Sequence, residues 1–192
     1  MITLYENTNV SITPYLCETT QPKPIVIVYP GGGYLGCSPN EGEPVAKVFN
    51  KAGFHAAVLI YTQKASNPDV PAYPQLLYDM EKALAIITEH AADWKVDTNS
   101  IYLSGFSAGA HLCSLYGNLW HTGFFATHIQ PKGILLCYPA IRADSIGQSV
   151  TQNIDLQNVI SNTTQQLAVH PFIKACLTAL FGHYPVTDEE YK

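Results

Sequence analysis

The sequence predicts an α/β domain: an open, mostly parallel sheet with helices on both faces. Three observations predict it. Strand-like and helix-like segments alternate from Pro24 to Ala140, the order that a parallel sheet with crossover helices requires. The run Ile25-Val26-Ile27-Val28-Tyr29 is apolar at every position, as in a strand covered on both faces. Glycine-rich turns then follow two of the strands, at the carboxyl ends where sheets of this kind hold ligands.

The composition fits one domain, 1–192, with ample core. Of 192 residues, 47% are hydrophobic and 13% charged, and the net charge is -5. The 10 Lys and Arg are dispersed, which leaves no electrostatic footprint for nucleic acid. A neutral or weakly polar small molecule is the better match. The five cysteines (Cys17, Cys37, Cys113, Cys137, Cys176) show no C-x-x-C spacing, which points to free thiols in a reducing compartment. The amino terminus has no basic and apolar leader pattern, and no apolar run approaches a membrane span. A cytoplasmic protein is expected.

Ile2 to Tyr5 and Val10 to Tyr15, separated by the polar cluster Glu6-Asn7-Thr8-Asn9, predict an antiparallel hairpin at the edge. Ile25 to Tyr29 is the central parallel strand. Three glycines, Gly31, Gly32 and Gly33, follow it directly. So many are costly unless the backbone turns steeply or admits a ligand to its N–H groups. Pro44 to Ala52 predicts a helix with Val45, Val48, Phe49 and Ala52 on its apolar face and Gly53 as the stop. Ala56 to Tyr61 supplies the next buried strand, and a polar, Pro-rich loop runs from Thr62 to Pro74. Leu76, Leu77, Met80, Leu84, Ile87 and Ala91 recur at helical spacing, and Val96 to Ser100 closes that helix as a turn. Ile101 to Ser104 is a short strand, a helix begins at Ala108, and Gly133 to Pro139 reads as another buried strand. Arg142 to Gln166 is polar, either a solvated loop or a substrate-facing cap. Pro171 to Phe181 predicts a helix with Gly182 at its end, and Thr187-Asp188-Glu189-Glu190 has the form of a capping box.

The chemistry gathers at two turns. Gly105-Phe106-Ser107-Ala108-Gly109 joins strand to helix as G-x-S-x-G. A serine at the apex of so tight a turn stands clear of its neighbours only when both flanking positions lack bulk. Ser107 is the candidate nucleophile. The N–H of Ala108, at a helix amino terminus, would face a developing oxyanion, and the N–H groups of Gly31, Gly32 and Gly33 could join it.

On these two motifs the chain resembles the α/β-hydrolase fold, in particular the esterase and lipase group with an HGGG-type oxyanion loop and a G-x-S-A-G elbow. Pro30-Gly31-Gly32-Gly33-Tyr34 matches the loop with proline in place of histidine, and the resemblance covers about Pro24 to Ala140. It implies a carboxylesterase acting on small acyl groups, including acetyl esters of sugars and xylan, with Tyr34 on the substrate and no cofactor. It also implies a later Asp or Glu and then a His, each after a further strand, and neither strand is visible. His55, His90 and His111 are poorly placed as base. His121 and His128 flank a connection, and His170 and His183 flank the last helix. Asp144 is the one acid in a suitable place, though a loop aspartate is the simpler reading. No H-E-x-x-H or C-x-x-C pattern supports a metal, and no G-K-[ST] supports a phosphate loop.

A serine without its base loses on the order of a million-fold in rate, so feeble or absent ester hydrolysis is expected of this chain alone. One explanation is an N-terminal part of a longer esterase. The other is a binding or dimerisation module on the same scaffold. In either case Ile134 to Tyr138 would be an apolar sheet edge, open to a second copy or a C-terminal fragment.

Overall fold

The computed structural model describes residues 1–64 and 71–140 together with Cys176, Thr178 and Ala179. Arg142 to Gln166, the Thr187 to Glu190 capping box, Asp144, His170 and His183 lie outside them. Of the helix expected at Pro171 to Phe181, Cys176, Thr178 and Ala179 are described, and all are helical.

Among the described residues, six strands form one sheet. They are β1 (Ile2–Thr3), β2 (Ser11–Tyr15), β3 (Lys23–Tyr29), β4 (His55–Ile60), β5 (Val96–Phe106) and β6 (Gly133–Cys137), ordered β1-β2-β4-β3-β5-β6. The first two pairings are antiparallel, and β4, β3, β5 and β6 run parallel. The hairpin and the central place of β3 therefore match the sequence reading. Between and after the strands lie the helices α1 (Glu43–Lys51), α2 (Gln75–Glu89), α3 (Ala91–Trp94) and α4 (Ala108–Leu119).

Alternation along the strands divides the core in two. Ile25, Ile27, Tyr29, Ala57, Leu59 and Leu103 pack with Leu76, Met80 and Leu84 of α2 and Leu112 and Tyr116 of α4. The opposite face, Val28, Ala56 and Val58, receives Ala46 of α1, with Val45 and Phe49 beside it. A side chain's direction alternates with each strand residue, so β3 needs apolar residues at every position to serve both layers.

Three expectations are corrected. The apolar face of α1 is turned from the predicted stripe: Val48 is 63% exposed, while Ala46 is buried. The single methyl of Ala46 lets the helix sit close on Val28, Ala56 and Val58, and that close approach sets the helix's rotation. Val96 to Ser100 is not a separate turn but the start of β5. Its pairing jumps from Lys23 opposite Val96 to Ile25 opposite Ile101, so the turn-forming residues make a bulge inside a strand. Within it the Asn99 N–H donates to the Asp97 carboxylate at 3.0 Å. Finally, β6 is half-exposed rather than buried, with Leu135 45% and Leu136 39% exposed, in keeping with the sheet edge expected at Ile134 to Tyr138. Among the described residues it has a strand neighbour on one side only.

Asp79 on α2 is fully buried. It accepts the Thr62 N–H at 2.6 Å and the Gln75 side-chain amide at 3.0 Å, which ties the end of β4 to the helix. Gln75 also donates to the Tyr5 hydroxyl at 3.2 Å. Burial raises the Asp79 pKa despite these donors. A carboxyl whose pKa is higher folded than unfolded holds its proton more tightly in the native state. Its contribution to stability is complete below the unfolded value of about 3.9 and is lost as pH rises through the folded value. Asp79→Asn removes that titration and keeps a carbonyl for Thr62. The stability of the variant minus that of the parent is expected to increase with pH across this window in urea unfolding, and a flat difference would contradict the assignment.

No described helix is long and apolar enough to cross a membrane. No group of metal-ligating side chains occurs among the described residues.

Candidate active site

The end of β5 and the start of α4 leave one residue between them, Ser107, at φ 50 and ψ -112. A non-glycine residue at positive φ is uncommon and strained, and it persists only where its surroundings impose the conformation. Here they do. The Ser107 N–H donates to the Cys137 carbonyl at 3.0 Å, and the Ser107 carbonyl accepts from the N–H groups of His111 at 3.0 Å and Ala140 at 3.3 Å. The turn closes because its flanks are bare. A Cβ on Gly105 would lie 2.4 Å from the Gly109 oxygen, and one on Gly109 would lie 2.0 Å from the Tyr29 oxygen. Ser107 is half-buried, and its hydroxyl has no hydrogen-bond partner among the described residues.

The glycine loop rests against this serine. A Cβ on Gly31 would stand 2.9 Å from Ser107 Cβ and 2.7 Å from the Phe106 oxygen, so contact this close admits glycine alone. Gly32 and Gly33 have φ 141 and 63, values that favour glycine. The loop is fastened at its base by the Tyr61 hydroxyl, which donates to the Pro30 carbonyl at 2.6 Å. The Ser38 N–H closes it on the Gly31 carbonyl at 2.8 Å. The Gly31 N–H is engaged: it donates to Glu41 Oε2 at 2.7 Å. The N–H groups of Gly32, Gly33 and Ala108 have no partner among the described residues. Ala108 opens a twelve-residue helix, whose amino end adds positive potential.

Tyr34 does not line an open surface. It is 5% exposed, and its hydroxyl is hydrogen-bonded to His111 Nδ1 and lies 3.4 Å from the Ala108 carbonyl. The hydroxyl expected to meet substrate is thus engaged with α4, from a backbone held at φ 64. Burial lowers the His111 pKa to about 4, so the ring stays neutral at pH 7. Its signal in an NMR titration should have its midpoint near 4, well below the unperturbed 6.5 or so. With the folded value depressed, stability is complete above the unfolded pKa and falls as pH drops toward 4. A midpoint above 6 would contradict the buried contact with Tyr34.

The other described histidines are engaged elsewhere. His55, fully buried, accepts the Cys17 N–H at 3.0 Å and faces the Lys95 carbonyl at 3.1 Å. His90 stacks on Trp94, His121 meets Trp120 edge-on, and His128 reaches the Trp120 carbonyl. Sequence reasoning missed Glu41, Tyr61 and Tyr138. The only signal for Glu41 was an acid in the segment just after the glycine run, and a lone acid in a loop ordinarily reads as solvated.

A mostly parallel sheet carrying a strained serine between β5 and α4, with a glycine loop from β3 packed on it, defines an α/β-hydrolase fold. The chain belongs to the BD-FAE family, whose model it matches over residues 15–170. It is 32% identical to Endo-1,4-beta-xylanase B of Butyrivibrio fibrisolvens in a match covering 66% of this chain and 21% of that protein. It is 30% identical to an Acetylxylan esterase of Xylanibacter ruminicola, covering 68% and 25% respectively. Among solved structures it resembles the acetyl ester-xyloside bifunctional hydrolase from Caldicellulosiruptor lactoaceticus, with 32% identity, a TM-score of 0.65 and coverage of 76% and 58%. It also resembles the carboxylesterase Cest-2923 from Lactobacillus plantarum WCFS1, with 26% identity, a TM-score of 0.63 and coverage of 90% and 65%. The chain thus spans a quarter or less of these curated relatives.

Proposed function

We propose that the chain carries the nucleophile and the oxyanion-binding half of a serine carboxylester hydrolase for small acyl esters, with acetyl esters of sugars or xylan as the substrate class. The observation that carries this reading is the meeting of Ser107 and Gly31, whose missing Cβ would stand 2.9 Å from the serine's. The acetylxylan esterase and acetyl ester-xyloside hydrolase among the similar proteins support the substrate class.

In the proposed reaction Ser107 Oγ bonds to the acyl carbon as its proton passes to a general base. The carbonyl electron pair moves onto oxygen, where the N–H groups of Gly32, Gly33 and Ala108 stabilise it. Collapse breaks the ester C–O bond, and the leaving alcohol takes the proton. Water then repeats the sequence on the acyl group and releases the acid and Ser107. The described residues supply no base to Ser107. Neither the triad acid nor its histidine is evident in the sequence: His170 and His183 only flank the last expected helix, and Asp144 reads more simply as a loop aspartate.

A second reading, a binding or dimerisation module, is favoured by the exposed Leu135 and Leu136 of β6 and Tyr138 just after it. Labelling with a fluorophosphonate, together with hydrolysis of p-nitrophenyl acetate, separates the two. Covalent labelling at Ser107 supports the hydrolase, and a Ser107 that stays unreactive both in this chain and in a longer product of the same reading frame overturns it in favour of the module.

A further inference from the structure

Glu41 ends the 3-10 turn Pro39–Glu41, ten residues beyond Gly31, and its two carboxylate oxygens reach in different directions. Oε2 accepts the Gly31 N–H at 2.7 Å, and Oε1 accepts the Tyr138 hydroxyl at 2.8 Å. Tyr138 directly follows Cys137, whose carbonyl receives the Ser107 N–H. The carboxylate therefore joins the two segments that flank the serine, the glycine loop on one side and the end of β6 on the other. Glu41 Oε2 lies 2.8 Å, and Ser107 Cβ 2.9 Å, from the same point, the place of the missing Gly31 Cβ. Tyr138 is itself held at φ 38 with its ring 5.9 Å from that of Phe106.

We propose that Glu41 is a positioning residue, one that fixes the glycine loop on Ser107 by spanning from the Gly31 N–H to the Tyr138 hydroxyl. The inference rests on the serine-hydrolase reading for its consequence and on these contacts for its geometry. Hydrogen bonds to an ionised carboxylate are shorter and stronger than neutral ones. By engaging Gly31, Glu41 leaves the next two N–H groups to meet an oxyanion, and it fixes their direction before substrate arrives. Without it, the loop keeps the bonds from the Tyr61 hydroxyl to Pro30, the Ser38 N–H to Gly31, the Leu35 N–H to Gly32 and the Lys64 N–H to Tyr34, none of which touches the N–H side of Gly31.

The test uses the full chain with Glu41→Ala and Glu41→Gln. The rate constant for fluorophosphonate labelling of Ser107 is read beside hydrogen exchange at the Gly31 amide. Glu41→Ala should slow labelling on the order of 100-fold, the scale of a misplacement of about 1 Å at a reacting centre, and should expose the Gly31 amide to exchange. Glu41→Gln keeps a carbonyl for Gly31 and an amide for Tyr138, so it should recover most of both. Labelling of Glu41→Ala at the parental rate overturns the proposal, as does a Gln variant no better than alanine, which would assign the effect to charge. If Ser107 reacts neither in the parent nor in a longer product of the same reading frame, the hydrolase reading falls. Gly31 exchange still decides the clasp in that case, and an amide equally protected in the alanine variant refutes it.

Discussion

Ser107→Ala is expected to abolish fluorophosphonate labelling and to remove whatever ester hydrolysis passes through this serine, a loss on the order of a million-fold only where a base completes it. Stability should be nearly unchanged. The hydroxyl makes no hydrogen bond among the described residues, and the bonds that hold the elbow all use the Ser107 backbone. Alanine keeps the same Cβ and meets the same strain at φ 50, so a change within about 0.5 kcal/mol is expected. A large loss of activity without loss of stability identifies a group retained for chemistry. The opposite pattern, unfolding with proportionate loss of activity, would make Ser107 a structural turn residue. Intact protein mass after labelling reads the first quantity, and thermal unfolding reads the second. Hydrolysis equal in parent and variant would remove Ser107 from the mechanism.

The sequence made the site's skeleton legible because that skeleton depends on local chemistry. The unbroken apolar run of β3 can only be a strand covered on both faces. The spacing from Leu76 to Ile87 allows only one helical face, and Gly105 and Gly109 bracket Ser107 for a steric reason visible in the sequence. What was not legible depends on contacts between distant segments. Val48 has the right spacing for the core face of α1, but a small residue, Ala46, determines how that helix lies on the sheet. Asp97 and Asn99 do form their local contact, yet long-range pairing with β3 draws them into a strand. Glu41 and Tyr138 are 97 residues apart, and nothing in either neighbourhood announces the other. Tyr34 matches its motif by position, whereas its partner His111 lies on a helix that the motif does not specify.

Gly109→Ala should be the most destabilising of the single-methyl changes around the site. In an unconstrained helix the substitution would be favourable by about 1 kcal/mol, because alanine is the better helix former. Here the added Cβ would meet backbone: 2.0 Å from the Tyr29 oxygen, 2.6 Å from its carbon and 2.7 Å from the Pro30 oxygen. Neither side can retreat cheaply. Tyr29 ends β3, which is bonded to β4 and β5, and α4 carries buried Ala108, Ala110, Leu112 and Cys113. Overpacking of this kind typically costs 1–3 kcal/mol and more when backbone must move, so a net loss of about 3 kcal/mol is expected. That corresponds to a fall in Tm of about 6–12 °C for a domain of this size. Gly117→Ala is the internal comparison on the same helix. Its Cβ would meet the Ile134 Cδ1 at 2.7 Å, the far end of a side chain that can rotate away, so its stability should stay within about 1 kcal/mol of the parent. Gly109→Ala should also slow labelling of Ser107 while the protein is still folded, since the displaced atoms lead directly into Gly31. If the two alanine variants melt together, close approach of α4 to β3 is not what glycine at position 109 provides, and the elbow's geometry must be set from the β6 side through Cys137 and Ala140.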